Sequence, residues 1–197
     1  MLEDRPAIVT GAARGLGEGI ARELAAQGAR VTLVDVLDEE GAAVAADIRA
    51  KGGAASYLSC DVRDLGAVEA VVAAAADEFG PLRILVNNAA ILLPATPITE
   101  LAETDLQRLL DINVMGIFRF CRATFEGFKA RGDGVVINLA SVHQSHSLDG
   151  FSAYAASKGA VISLTRQLAA EWGKWNIRVN SISPGAIDAT MTRMILD

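Results

Sequence analysis

Apolar positions recur along the chain in two rhythms that alternate from one end to the other. Short runs such as Ala7-Ile8-Val9-Thr10 and Arg30-Val31-Thr32-Leu33-Val34-Asp35 are apolar and rich in β-branched residues, which predicts strands. Between them the apolar residues return every three or four positions, as at Leu16, Ile20, Leu24 and Ala25, and Gly28 follows as a C-cap. The same reading predicts helices from about Asp38 to Lys51 and from Leu65 to Phe79, a helical stretch of roughly Ala102 to Arg131, and a later helix carrying Tyr154 and Lys158. It predicts further strands over Ala54–Ser59, Leu82–Val86, Val135–Leu139 and Ile177–Ile182, with Gly52-Gly53 and Gly132-Asp133-Gly134 as helix-to-strand turns. Strands that alternate with helices imply right-handed crossovers and a parallel sheet covered on both faces. The expected fold is therefore α/β, a Rossmann-type doubly wound parallel sheet in one domain over residues 1–197.

Composition narrows the partners. A chain of 197 residues that is 51% hydrophobic suits one substantial core. A net charge of -6 and a pI near 5.0 argue against nucleic acid or an anionic membrane, since phosphate binding needs clustered Lys and Arg. The opening Met1-Leu2-Glu3-Asp4-Arg5-Pro6 has neither a basic nor an apolar leader segment, and no apolar run approaches the roughly 20 residues a membrane span requires, so a cytoplasmic location is expected. Cys60 and Cys121 stand alone and read as buried free thiols. His143 and His146 form an H-x-x-H without an acidic or thiol partner nearby, so no metal site is expected.

Candidate chemistry begins after the first strand, at Gly11-Ala12-Ala13-Arg14-Gly15-Leu16-Gly17. Strand, glycine turn, helix is the context of a dinucleotide pyrophosphate: glycines let backbone N–H groups approach the phosphates, and a helix N-terminus adds partial positive charge. Asp35 ends the second strand about 20 residues later, where a carboxylate accepts hydrogen bonds from the adenosine ribose hydroxyls and repels a 2′-phosphate. Further on, Tyr154 and Lys158 lie four residues apart and so share one helix face. Bringing a phenol from a pKa of about 10 to about 7 needs roughly 4 kcal/mol. One cation at about 4 Å and an effective dielectric of about 20 supplies roughly that much. The pair is therefore expected to make a tyrosine that exchanges protons near neutral pH.

Taken together, these stretches resemble the short-chain dehydrogenase/reductase family over nearly the whole chain. Thr10 to Gly17 is similar to its coenzyme loop, with Gly11, Arg14, Gly15, Leu16 and Gly17 at coenzyme-binding positions. Asp61-Val62 is similar to its adenine-contacting pair, and Asn87-Asn88-Ala89-Ala90 to its N-N-A-G motif, with Ala90 in place of the last glycine. Pro184-Gly185, followed by Ile187, resembles the turn that flanks the nicotinamide, and Asn113, Ser141, Tyr154 and Lys158 fall on the catalytic positions. The resemblance implies hydride transfer between NAD, preferred over NADP, and an alcohol or carbonyl substrate. Tyr154 would be the general acid/base, and Lys158 would lower its pKa and bind the nicotinamide ribose. Ser141 would hold the substrate oxygen, and Asn113 would fix Lys158 and a relay water. His143 beside Ser141 suggests contacts to substrate hydroxyls, as in sugar and polyol dehydrogenases of the family. A homodimer or homotetramer is expected, paired through helices rich in Phe118, Phe120, Phe125, Phe128, Leu164, Leu168 and Trp172. Two departures stand out. Ala189 occupies a position where the family commonly has Thr, with Thr190 adjacent, and the sequence stops at Asp197, before the family's substrate lid, last helix and edge strand are complete. A longer natural chain is therefore expected, and the alternative function is a non-catalytic NAD-binding or scaffold protein without a complete substrate pocket.

Overall fold

The structure is a computed structural model that describes residues 2–187. Six parallel strands form one sheet in the order β3-β2-β1-β4-β5-β6: β1 Pro6–Thr10, β2 Arg30–Asp35, β3 Ala54–Ser59, β4 Ile84–Asn87, β5 Gly134–Leu139 and β6 Ile177–Ile182. The chain starts at the centre, runs outward through β2 and β3, and returns beside β1 to build the other half. That reversal leaves a crevice at the carboxyl ends of β1 and β4, where ligands bind in open α/β sheets. The doubly wound fold expected from the apolar rhythm is the fold observed.

The period of two in the strands sorts the core into two layers. Ala7, Val9, Val31, Leu33 and Val86 face one way, against α1 (Gly15–Ala26) and α2 (Asp38–Ala50). Ile8, Val34, Leu85, Val136 and Val179 face the other way, against α3 (Leu65–Phe79), α5 (Gly116–Arg131) and α6 (Ser152–Trp172). Each fully buried Ile, Leu or Phe stabilises the fold by roughly 1.5–3 kcal/mol relative to exposure.

Three elements depart from the sequence reading. The fourth strand begins at Ile84 and extends through Asn87, which pairs with Asn138 in the ladder to β5, with a side-chain bond from Asn87 Nδ2 to Asn138 Oδ1 (2.9 Å) beside it; Leu82 is buried without being in the strand. The helical stretch after residue 102 is divided into α4 (Glu103–Leu110), a π-helical turn (Asp111–Met115) and α5. The apolar residues assigned to subunit pairing are also partly used inside the chain. Phe120 and Phe128 are fully buried, Trp172 is buried, and Phe125 stacks on Trp172 at 4.9 Å and Trp175 at 5.1 Å. Phe118 at 44% and Met115 at 42% exposure stay open to solvent.

Candidate active site

A cleft of about 760 Å³ opens over the carboxyl ends of the central strands. Its floor is the glycine loop. Gly11 and Gly15 have φ of +64° and +60°, left-handed values that favour glycine. A Cβ on Gly17 would lie 2.0 Å from the Gly11 carbonyl oxygen, so α1 can approach the loop this closely only without a side chain there. The loop is held from the neighbouring strand: Asn88 Nδ2 donates to the Thr10 and Gly11 carbonyls, both at 3.0 Å, and the Asn88 and Ala89 amides both donate to Thr10 Oγ1 at 3.0 Å. Asn88 and Ala89 line the cleft, but the Asn88 amide is committed to shaping the loop.

Asp35 does two jobs at the end of β2. Its Oδ2 accepts from the Ala13 amide (3.0 Å), and its Oδ1 from Val36 N (2.8 Å) and Leu37 N (3.2 Å), while the residue still lines the cleft. On the same wall, Arg63 grips Asp61, with Nη2 2.6 Å from Oδ2; these hydrogen bonds hold the Asp61 carboxyl below the usual range against the opposing effect of burial. Val62 follows, buried at the cleft edge, and Arg14 and Leu16 border the loop. Arg63, Arg108, Ile91 and Leu92 also line the cleft, and sequence reasoning missed them. They carry no local motif; only the fold brings them there.

At the other end, β5 runs into Ser141 and α6 presents Tyr154 and Lys158, all three on the cleft wall. Asn138 Nδ2 donates to Thr165 Oγ1 (2.9 Å), fixing α6 against the sheet beneath them. Lys158 is buried, and its Nζ donates to the Leu139 carbonyl (2.7 Å) while lying 5.6 Å from the centre of the Tyr154 ring. Burial pulls Lys158 down to about 8. Burial also pushes the Tyr154 phenol up, with the Ser141 hydroxyl working in the opposite direction. Burial is thus the larger influence on the Tyr154 phenol, and Lys158 beside it is bonded to a backbone carbonyl with its own charge destabilised by burial.

Asn113 sits on the π turn between α4 and α5. The π turn carries it into the interior, where Oδ1 accepts from Ile91 N (2.8 Å) and Nδ2 donates to Ile91 O (3.0 Å) and Ser157 Oγ (3.2 Å). Ser157 Oγ in turn donates to the Tyr154 carbonyl (2.7 Å), so the Asn113 side chain holds the helix that carries Tyr154 and Lys158. His143 sets its ring edge-on to Tyr154 at 5.7 Å and donates its backbone N–H to Ser141 Oγ (3.2 Å); it backs the tyrosine and is not on the cleft wall. The Pro184 carbonyl accepts from Val142 N (3.1 Å), which brings Pro184, Gly185 and Ile187 to the same end of the cleft. Ala189 and Thr190, and the lid expected over Met191 to Leu196, lie outside the described residues.

This arrangement fits a nicotinamide dinucleotide: a helix N-terminus over a glycine loop, a carboxylate at the next strand end, and, among the described residues, open space beside Gly185. The family profile of short chain dehydrogenases matches residues 5–197. The chain belongs to the short-chain dehydrogenase family. This short-chain dehydrogenase is thus an oxidoreductase of a family that uses NAD(H) or NADP(H). It is 41% identical to a D-threitol dehydrogenase of Mycolicibacterium smegmatis, over 94% of this chain and 71% of that protein. It is 42% identical to a 3-alpha-(or 20-beta)-hydroxysteroid dehydrogenase of Mycobacterium tuberculosis, over 94% of this chain and 70% of that one. A crystal structure assigned as a candidate gluconate dehydrogenase from Agrobacterium tumefaciens superposes with a TM-score of 0.95 at 32% identity, covering 100% of this chain and 77% of that one. Among the described residues, no helix is long and apolar enough to cross a membrane, and no three His, Cys, Asp or Glu side chains group as metal ligands.

Proposed function

We propose that this short-chain dehydrogenase interconverts an alcohol and its carbonyl compound with NAD(H), using Tyr154 as the proton-transferring group. The observation that carries this reading is the convergence of Ser141, Tyr154 and Lys158 on one wall of the cleft that the glycine loop floors. The nicotinamide, when bound, supplies or accepts the hydride. In reduction, the Tyr154 phenol gives its proton to the carbonyl oxygen as the carbon gains hydride; in oxidation, the phenolate takes the hydroxyl proton. Ser141 donates to the same substrate oxygen and fixes it beside the tyrosine. Lys158 stabilises the phenolate electrostatically and is placed to bind the nicotinamide ribose, while Asn113 and His143 hold the tyrosine from behind. A non-catalytic scaffold would have no use for this set.

Coenzyme choice follows from Asp35. A 2′-phosphate at the end of β2 would meet its carboxylate, and Val36 and Leu37 offer no compensating cation. Two like charges about 5 Å apart at an effective dielectric of about 20 repel by roughly 3 kcal/mol, and Arg14 offsets only part of that. The expected result is a kcat/KM at least about tenfold higher with NAD than with NADP, measured by nicotinamide reduction across a panel of polyols, cyclic alcohols and hydroxysteroids. A preference for NADP would refute the assignment of Asp35, and absence of turnover with every alcohol and both coenzymes would refute the enzyme reading. The relatives named for threitol and hydroxysteroid set the range of the panel.

We also infer pairing through α5 and α6. Exposed Met115 and Phe118, with Leu164 and Leu168 half-buried, leave an apolar surface after the core has taken its share. Light scattering at micromolar concentration should show a dimer or tetramer, and a monomer alone would count against this.

A further inference from the structure

We propose that Arg119 is a positioning residue that joins the adenine-side wall of the cleft to the π turn holding Asn113, so that one side chain sets both coenzyme grip and the chemical end. The inference rests on the hydride-transfer reading above. Arg119 lies on α5 with its side chain 17% exposed. Its Nη2 donates to Asp111 Oδ1 (2.6 Å), and its Nη1 donates to the Asp111 carbonyl (3.3 Å) and the Val62 carbonyl (3.3 Å). Three acceptors from two separate segments thus share one guanidinium, whose rigid fork suits this better than an ammonium.

The pairing itself depends on the π turn. In an uninterrupted α-helix, residues eight apart sit about 80° away from one another around the axis. A π turn absorbs one extra residue, so Asp111 and Arg119 behave as if about seven apart, two full turns, and face the same way. The Gly116 amide marks the wide turn by donating to the Asp111 carbonyl, the same oxygen that Arg119 caps. Gly116 also lets α5 lie directly on the cleft wall, since a Cβ there would sit 2.8 Å from Val62 Cγ2.

Asp111 precedes Asn113 by two residues. Asn113 holds Ile91 on the cleft wall and reaches Tyr154 through Ser157. A continuous set of contacts therefore runs from Val62 through Arg119 and the π turn to the helix of Tyr154. Without Arg119, Val62 loses the donor on its carbonyl and Asp111 loses its hydrogen-bonded cation, leaving only the field of Arg63. The extra residue is then free to slip toward α register, which would swing Asn113 by about 100° away from Ile91. The adenine wall and the tyrosine helix would loosen together.

The test compares Arg119→Met and Arg119→Lys with the wild-type chain. ADP-ribose binding by calorimetry reads the coenzyme end without chemistry, steady-state kinetics read kcat and KM, and thermal unfolding reads stability. Arg119→Met should weaken ADP-ribose binding about threefold to tenfold and lower kcat by about tenfold, with Arg119→Lys recovering part of both. A lowered melting temperature with ADP-ribose affinity and kcat both unchanged at 25 °C would reduce Arg119 to a structural residue and overturn the proposal. Should Arg119→Met fail to fold, Asp111→Asn carries the same test: smaller losses of both constants are expected, and no loss in either overturns it. Absence of turnover in the wild-type chain would sink the hydride-transfer reading, while the ADP-ribose comparison would still decide whether Arg119 shapes the coenzyme wall.

Discussion

Replacing Tyr154 with phenylalanine should lower kcat roughly 10³-fold, within the range that a positioned proton donor supplies, and leave coenzyme affinity nearly unchanged. Only the hydroxyl is removed. The ring stays to pack edge-on against His143, and the backbone contact from Ser157 to the Tyr154 carbonyl survives, so the helix and the Lys158 contact to Leu139 remain in place. Coenzyme titration by fluorescence and steady-state turnover separate the two effects; retention of more than about a tenth of wild-type kcat would mean another group moves the proton. The pH dependence supplies a second reading of the same site. Burial raises the Tyr154 phenol, so it is protonated at neutral pH and ready to donate in reduction. Alcohol oxidation needs the deprotonated form, and its rate should therefore climb as pH rises above neutral until Lys158, pulled down to about 8, loses the charge that stabilises the phenolate.

Gly17→Ala should damage the protein from the other end of the cleft. Its Cβ would sit 2.0 Å from Gly11 O and 2.5 Å from Asn88 Nδ2, the two atoms whose hydrogen bond shapes the coenzyme loop. Neither is the loose end of a flexible side chain, so α1 must move away. Overpacking of this kind costs about 1–3 kcal/mol. In a domain of this size, that lowers Tm by roughly 2–12 °C. Coenzyme affinity should fall at least about tenfold, because the amides aimed at the phosphates move with the helix. Gly19→Ala, two residues further along α1, is the control: a Cβ there meets nothing within 4 Å among the described residues, and the change should stabilise the helix by about 0.5–1 kcal/mol. Wild-type coenzyme binding by Gly17→Ala would show that the close approach is not needed.

Much of the molecule is decided by residues close together in the chain. The period of two that puts Ala7 and Val9 on one face and Ile8 on the other, and the helical return of apolar residues in α1, follow from backbone geometry over a few residues, so the parallel sheet was legible without coordinates. The glycine loop and Asp35 were legible for the same reason: a left-handed turn, a helix start and a strand end are local events with residue types suited to each. What the loop, the tyrosine and the asparagines do with their side chains was decided by tertiary structure. A π turn has no compositional signature, so the bonds from the Asn113 side chain to Ile91 and Ser157 could not be read from the chain. Tyr154 and Lys158 share a helix face as their spacing requires, yet their proton affinities depend on how deeply the fold buries them and on the Leu139 carbonyl from a different strand. Arg119 meets Val62 across 57 positions of sequence, a contact that no window along the chain contains. Local geometry is set by neighbours within one turn or one pleat, whereas desolvation and long-range hydrogen bonds exist only once the layers have packed.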